Sequence, residues 1–268
     1  MRILPYLTLL LILPFGTCAP PPENADVPSD NAENTTTADP AADLPPTLQT
    51  VLTAHGGLDR WRGYRTLSYD MARDESTESQ TTDLNDRREY IRQPAPTGEP
   101  TETGFDGDSI WLKAGPDYQG NPRFYHNLMF YFYAMPWVLA DPGITYEATP
   151  DLTYGGVSYP GLKISYADGV GLSPKDNYFL HHDPATGRMR WLGYTVTART
   201  GEVSDKISWI EYPTFSDHGG VMLADSLVWY TVEDNQPVAP RNTRTFTNVR
   251  LDKTAADYTP PAGARAVD

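Results

Sequence analysis

The sequence predicts one α+β domain that is mostly β and built on an antiparallel sheet. From Tyr64 onward, apolar and polar residues alternate with a period of two, which is typical of half-buried strands. Turn signals rich in Asp and Gly, at 106–107, 183–187 and 217–220, separate these runs and favour hairpins. Two other segments show helical spacing. We therefore expect a meandering antiparallel sheet with an N-terminal helix and an aromatic helix.

The first element of the domain is a helix. Thr47 is a candidate N-cap after two prolines, and apolar residues follow from Leu48 at spacings of three and four. The helix should break at His55-Gly56-Gly57 and resume for a turn. Strands are then expected near the C-terminus and at about 64–73, 83–92, 109–114, 157–166, 177–182, 188–198, 205–212, 222–232 and 242–251.

An aromatic segment interrupts the strand pattern at 121–137. Asn121 and Pro122 suit the start of a helix, and Pro136 should end or kink it near Met135. Seven aromatic residues lie between 124 and 137 around nearly the whole circumference, so the helix either packs as ordinary core or walls an apolar pocket. In the pocket interpretation one helical face lines it: Phe124, Leu128, Tyr131, Phe132 and Met135.

The N-terminus is typical of an export signal. A charged start is followed by a short apolar run, Ile3 to Phe15, which is too short for a membrane span. Residues 1–17 are therefore predicted to be a signal peptide. Cys18, the single cysteine, resembles the lipidated residue of a bacterial lipobox, with Phe15 and Thr17 at two less usual positions. The alternative is an incidental cysteine beside an ordinary cleavage site.

The segment from Cys18 to Pro46 is predicted to be a disordered linker. It holds almost no large apolar side chains and carries six of the carboxylates behind the formal net charge of −14. The acidic balance argues against nucleic acid as a partner. We expect the membrane to be contacted through lipidated Cys18, in the bacterial envelope and at the outer membrane, with residues 47–268 as the folded domain.

Histidines give the sequence its one hint of a metal site. His181, His182 and Asp183 are consecutive, and Asp217-His218 follows later. Because neighbouring residues on a strand point to opposite faces, His181 and His182 do not readily share one ion. Asp106-Gly107-Asp108 is read as a hairpin turn instead of a calcium loop. We expect no metal and no cofactor.

Six stretches of the domain carry a family resemblance through their order along the chain: Ala54 to Trp61, Thr66 to Tyr69, Phe105 to Trp111, Tyr178 to Arg188, Gly219 to Leu223 and Asp257 to Ala264. Together, over 47–268, they resemble the LolA-like superfamily of envelope proteins, and most nearly an uncharacterised Bacteroidota lipoprotein family. Ala224 departs from the proline that members often have. The resemblance implies a strongly curved antiparallel sheet, a half-open β-barrel with helices on its concave side, where known members bind acyl chains.

Three classes of function follow. The first is an envelope lipoprotein that binds a lipid or other apolar ligand in the half-barrel. The second is a structural or protein-interaction lipoprotein whose barrel is filled by its own side chains. The third is a hydrolase, which would need His181, Asp183 and His218 gathered in one cleft. No nucleophile elbow or metal array is found in the sequence, so a binding protein is expected.

Overall fold

The folded domain begins earlier than the sequence predicts. The computed structural model describes residues 44–73, 76–95, 98–166, 175–197 and 203–267. The predicted signal peptide, Cys18 and the linker up to residue 43 lie outside these residues. Leu44 packs against the main core, and Pro46 is the first residue of the first helix. Leu44, Pro45 and Pro46, which the sequence assigned to the linker, are therefore among the described residues of the domain.

Short helices account for the helical part of the described chain. They are α1 (Pro46–Ala54), α2 (Leu58–Arg62), α3 (Pro122–Tyr125), α4 (Leu128–Tyr133) and a 3-10 helix (Trp137–Ala140). The predicted first helix is confirmed, but its N-cap is Pro45 because Pro46 occupies the first helical position. None of the helices in the described ranges is long and apolar enough to cross a membrane.

A glycine pair turns the chain between α1 and α2, as the sequence predicts. Gly56 has a φ of 111°, a conformation that side chains rarely adopt. A Cβ atom added there would lie 1.9 Å from the carbonyl oxygen of Gly220. The glycine is therefore required for the close approach of the α1–α2 turn to the loop at 218–220.

One antiparallel sheet dominates the domain. Its strands in the described residues stand in the spatial order β15-β5-β4-β3-β2-β1-β14-β13-β10-β9-β8-β7-β6, and β11 and β12 form a separate hairpin. The bounds are β1 (Thr66–Arg73), β2 (Ser76–Asp83), β3 (Glu89–Gln93), β4 (Thr101–Phe105), β5 (Ile110–Lys113), β6 (Ile144–Tyr154), β7 (Val157–Tyr166), β8 (Tyr178–His182), β9 (Met189–Tyr194), β10 (Ser208–Glu211), β11 (Phe215–Asp217), β12 (Met222–Ala224), β13 (Ser226–Glu233), β14 (Gln236–Asp252) and β15 (Arg265–Ala266). The sheet does not close, so the expected mostly β fold with one open antiparallel sheet is confirmed.

The strand prediction is wrong in several places, and for β2 the reason is physical. It misses β2, β4, β6 and β11, and it joins 83–92 into one strand, where a turn at 84–86 separates β2 from β3. Glu78, Gln80 and Thr82 alternate along the buried face of β2, and Asp83 at its end is buried as well. Because polar side chains fill this buried face, the apolar alternation that marks a strand is absent.

The three Asp-containing turns form as predicted. Asp106 Oδ1 accepts the backbone N–H groups of Asp108 and Ser109 at 2.9 and 2.8 Å. Asp183 does the same in the β8–β9 turn, and Asp217 accepts the N–H of Gly220 between β11 and β12. Each carboxylate satisfies turn amides, so the hairpin interpretation of Asp106-Gly107-Asp108 is confirmed.

The sheet packs apolar side chains on both faces. The inner face, which we define as the one that meets the helices, includes Leu67, Tyr69 and Leu192 in the main core. A second cluster contains Leu152, Tyr159, Trp191, Trp209 and Tyr230. Since Trp191 precedes Leu192 on β9, the second cluster lies on the outer face. A ligand site on the inner face would therefore have to use side chains that the helices do not fully cover.

Candidate apolar ligand site

The aromatic segment is helical, but it is not one helix. Asn121 caps α3 as predicted, its side chain accepting the N–H of Phe124 at 3.1 Å. The chain then breaks at Asn127, which has a φ of 56° and separates α3 from α4. The N–H of Asn127 donates to Glu89 Oε2 at 3.0 Å, and its side-chain amide donates to the carbonyl of Arg87 at 3.2 Å. The prediction of a continuous helix to Met135 is wrong because Glu89 of β3 and Arg87, in the connection before β3, supply these partners.

The break divides the five predicted ligand-binding residues. Phe124 precedes it and is 55% exposed. Leu128, Tyr131 and Phe132 are half-buried on α4, and Met135 is buried in the main core. The regular helical spacing that grouped these side chains holds only within α4. The structure therefore keeps Leu128, Tyr131 and Phe132 on one helix and separates Phe124 from them.

The other side of α4 is ordinary core. Tyr133 stacks on Phe246 with ring centroids 3.8 Å apart, and Tyr69 meets it edge-on at 4.6 Å. Phe130 is fully buried, with the guanidinium of Arg87 5.1 Å from its ring centre. This side of the segment matches the core-packing interpretation.

The half-buried side of α4 meets aromatic residues from the strands. Phe132 lies 5.1 Å from the ring of Tyr194 and 6.0 Å from that of Trp229, and the Trp229 indole N–H donates to the Tyr194 hydroxyl at 3.2 Å. Tyr178 pairs with Tyr194 across β8 and β9, and its ring lies 5.7 Å from that of Tyr166. We call the following half-buried residues the aromatic cluster: Tyr131, Phe132, Tyr166, Tyr178, Tyr194 and Trp229.

Two tyrosines of the aromatic cluster, Tyr166 and Tyr178, are uncharged at neutral pH. Burial raises the pKa of Tyr178 and of Tyr166, and neighbouring tyrosines raise both further. Burial likewise raises the pKa of nearby Tyr146 to about 12, and its hydroxyl donates to the carbonyl of Leu139 at 2.6 Å. The surface that the cluster offers is therefore apolar ring with neutral hydroxyls at its margin.

Sequence reasoning found the helix side of this cluster and missed the strand side. Tyr166 ends β7, Tyr178 begins β8 and Tyr194 ends β9, so all three lie at one end of neighbouring strands. The sequence correctly predicts that each of these three tyrosines lies in a strand. The spacing of residues along the sequence does not show which strands pair, and so it could not place the three rings side by side.

A buried polar network occupies the inner face at β2 and β3. Glu78 accepts from the Tyr125 hydroxyl at 2.8 Å and from Gln93 at 2.5 Å. Glu89 Oε2 lies 3.1 Å from His126 Nδ1, and burial raises the pKa of the Glu89 carboxyl. The network holds the α3–α4 break in place through contacts to β3, and it makes this half of the inner face polar.

The predicted histidine and aspartate cluster is held by backbone groups. His181 Nδ1 is 3.0 Å from the carbonyl of Tyr159, and Asp183 caps its turn as described above. Burial lowers the pKa of both His181 and His218. Within the described ranges, no three His, Cys, Asp or Glu side chains gather in a way that could hold a metal ion.

Comparison with known proteins gives structural likeness only. No protein-family model and no curated protein sequence matches the chain. Its structure is similar to that of a LolA superfamily protein from Nitrosomonas europaea, with a TM-score of 0.42 and 8% identity over 70% of this chain and 84% of that chain. It is also similar to a DUF1329 family protein from Desulfovibrio piger, with a TM-score of 0.40 and 8% identity over 82% and 96%.

A third similar structure is a domain from Vibrio parahaemolyticus that is named as outer membrane lipoprotein-sorting. The TM-score is 0.35, and 9% identity extends over 76% of this chain and 95% of that domain. Each TM-score is below 0.5, so these likenesses do not assign a function to this chain.

Proposed function

We propose that this chain is an envelope-anchored lipoprotein that binds a lipid or another apolar ligand on the inner face of its sheet. The observation that carries the proposal is the aromatic cluster, in which Phe132 of α4 meets Tyr194 and Trp229 of the strands while all three stay half-buried. Their rings are held by the core beneath them and keep part of their surface open to a ligand.

Covering the exposed ring surface of the aromatic cluster with an apolar ligand is favourable because of the hydrophobic effect. Covering about 100 Å² of apolar ring surface stabilises a complex by about 2.5 kcal/mol, at roughly 25 cal/mol per Å². Micromolar binding corresponds to about 8 kcal/mol, so a long apolar chain would have to cover several hundred Å² of ring and neighbouring apolar surface, and more to offset the freedom lost on association. The sequence resemblance to LolA-like proteins implies the same class of ligand.

The anchor and the location belong to the same proposal. Lipidation at Cys18 would hold the domain at the bacterial envelope, most simply the outer membrane, on a tether that ends before Leu44. We propose binding and not catalysis, since His181 and Asp183 are used by backbone contacts. Catalytic residues and cofactors form no part of this proposal.

A filled barrel with a protein partner is the second candidate. It is favoured by the packed side of α4, where Phe130 and Tyr133 are fully buried. The two functions differ in what the aromatic cluster contacts. A ligand-binding protein takes up free acyl chains at this cluster, whereas an interaction protein leaves it closed to them.

Binding of a fluorescent fatty-acid probe tests the proposal. Phe132→Ala should abolish probe binding and destabilise the protein by less than the ~3–5 kcal/mol typical of a fully buried phenylalanine, because Phe132 is half-buried. Phe179→Ala is the matched control: Phe179 is also half-buried, but it packs in the outer cluster. Probe binding should survive that change. An unmodified protein that binds no probe would instead favour the filled barrel.

A further inference from the structure

Three hydroxyl groups at the aromatic cluster have no hydrogen-bond partner within the part of the chain that the structure describes. They belong to Tyr131, Tyr166 and Tyr178. By contrast, Tyr194 accepts the indole N–H of Trp229. The unpaired hydroxyl of Tyr133 is fully enclosed, whereas those of the three cluster tyrosines are not among the fully buried unpaired atoms. Within the described residues, these three hydroxyls are therefore unpaired and not fully enclosed.

The three tyrosines converge. Tyr166 and Tyr178 are in ring contact at 5.7 Å. Tyr131, on the helix facing them, lies close enough to contribute to the raised pKa of both. A ligand whose apolar chain covers Phe132 and Trp229 would meet these hydroxyls at one end of the cluster.

A phenolic O–H group donates one hydrogen bond and its oxygen can also accept, so an acceptor oxygen of a ligand is what satisfies the three donors. An ammonium head can only donate to the phenolic oxygens and leaves all three O–H donors unsatisfied. An anionic head is disfavoured by the acidic groups nearby, because Asp141 and Asp176 both contribute to the raised pKa of neighbouring tyrosines. Arg87 is already paired with Asp141 at 2.6 Å. A neutral acceptor is the remaining choice.

We propose that Tyr131, Tyr166 and Tyr178 bind the uncharged carbonyl of an acyl ester or amide, while the rings of Phe132, Tyr194 and Trp229 hold its hydrocarbon chain. This specificity rests on the proposed function and narrows it to neutral acyl compounds. Plain hydrocarbons would bind the same rings without the hydroxyl contacts, and an ionised fatty acid would place its negative charge near Asp141 and Asp176.

Displacement of a bound fluorescent acyl probe measures the preference. Hexadecane, palmitic acid and methyl palmitate share a chain length and differ in the head, and at about pH 8 the acid is ionised. The ester should bind more tightly than either of the others. Monopalmitoylglycerol and a lysophosphatidylglycerol of the same chain then distinguish a glyceride from a phosphate-bearing source, and the neutral glyceride should bind more tightly.

Substitutions that remove only the hydroxyl assign the preference to these residues. Tyr166→Phe and Tyr178→Phe, made separately, should each lower the ratio of ester to hydrocarbon affinity about two- to tenfold, the value of one hydrogen bond. Tyr90→Phe is the matched control, because its hydroxyl donates to Glu102 on the outer face. That ratio should not change in the control, and thermal melting should show that all three variants fold.

The outcomes separate the two proposals. Ester preference that falls in the cluster variants and persists in Tyr90→Phe supports the inference. Apolar ligands that bind without ester preference, or a preference that survives both cluster variants, would overturn the inference and leave the proposed function standing. Tighter binding of the ionised acid would also overturn it. If none of the compounds displaces the bound probe, the proposed function is overturned as well.

Discussion

His55 connects three elements through both nitrogens of one ring. It is fully buried at the end of α1, where Nδ1 lies 3.0 Å from the carbonyl of Met222 and Nε2 lies 3.1 Å from the N–H of Met189. Since the Met189 amide can only donate, Nε2 accepts and Nδ1 carries the proton. The ring is neutral, and burial lowers its pKa from 6.5 to about 4.

Stability should therefore depend on pH through His55. The folded pKa lies below the unfolded one, so between about pH 6.5 and 4 the unfolded chain binds a proton that the native ring does not. This contribution is complete above pH 6.5 and is lost as the pH falls, by up to about 3 kcal/mol. Urea unfolding of the parent and of His55→Gln measures it: the stability gap between them should shrink at acid pH.

His182→Gln is the control on a neighbouring strand, where the ring is only half-buried. Its stability gap to the parent should change far less with pH than that of His55→Gln. A gap for His55→Gln that stays constant from neutral to acid pH would show that His55 is not the titrating group.

The role of His55 illustrates how far single residues can be predicted. Its place at a helix end beside Gly56 was evident from the sequence and is confirmed. Its partners Met189 and Met222 stand 134 and 167 residues away along the chain. No local pattern carries information over that distance, so the contact depends on the sheet topology.

At the scale of elements, the sequence correctly predicts that the aromatic segment is helical, but the prediction of one continuous helix is wrong. Its apolar circumference indicated a buried helix, and α4 with the 3-10 helix is largely buried. The break at Asn127 follows from Glu89, a residue of β3 that accepts the N–H of Asn127. Asn tolerates the left-handed conformation better than most residues, and Glu89, 38 residues earlier in the chain, accepts its N–H there.

Substitution of Asn127 tests the cause of the break. Asn127→Gly keeps the left-handed backbone and its N–H bond to Glu89, and it loses the side-chain amide bond to Arg87. Asn127→Ala loses the same amide bond and also places a Cβ in the left-handed region, at a cost of about 1–2 kcal/mol. We expect stability in urea to fall in the order parent, Gly, Ala. An alanine variant as stable as the glycine variant would contradict this account.

For the whole molecule, the mostly β class was predictable and the strand order was not. Alternation and turn signals indicated antiparallel hairpins, and hairpins such as β6–β7 and β8–β9 are neighbours in sequence and in space. The pairings of β1 with β14 and β10 with β13 join distant strands. They follow from packing on the inner face, which a single sequence does not reveal. For the same reason, the sequence predicts the helix residues of the aromatic cluster and misses its strand residues.

Attachment to the membrane is a prediction for the full-length protein. Cys18→Ser in the bacterial host should move the protein from the membrane fraction to the soluble fraction, because removal of the acyl chains removes the anchor. The domain itself should remain folded, since the residues of both described cores lie at or after Leu44. Unchanged fractionation of the variant with the membrane would show that another part of the protein anchors it.

Native mass spectrometry of the protein isolated from its own envelope, with extraction of bound lipid, tests the central claim most directly. The account predicts a bound apolar compound at close to one molecule per chain, which is lost or greatly reduced in Phe132→Ala and retained in Phe179→Ala. A parent protein that carries no apolar compound and takes none up from a lipid extract would contradict the claim that the aromatic cluster is a ligand site.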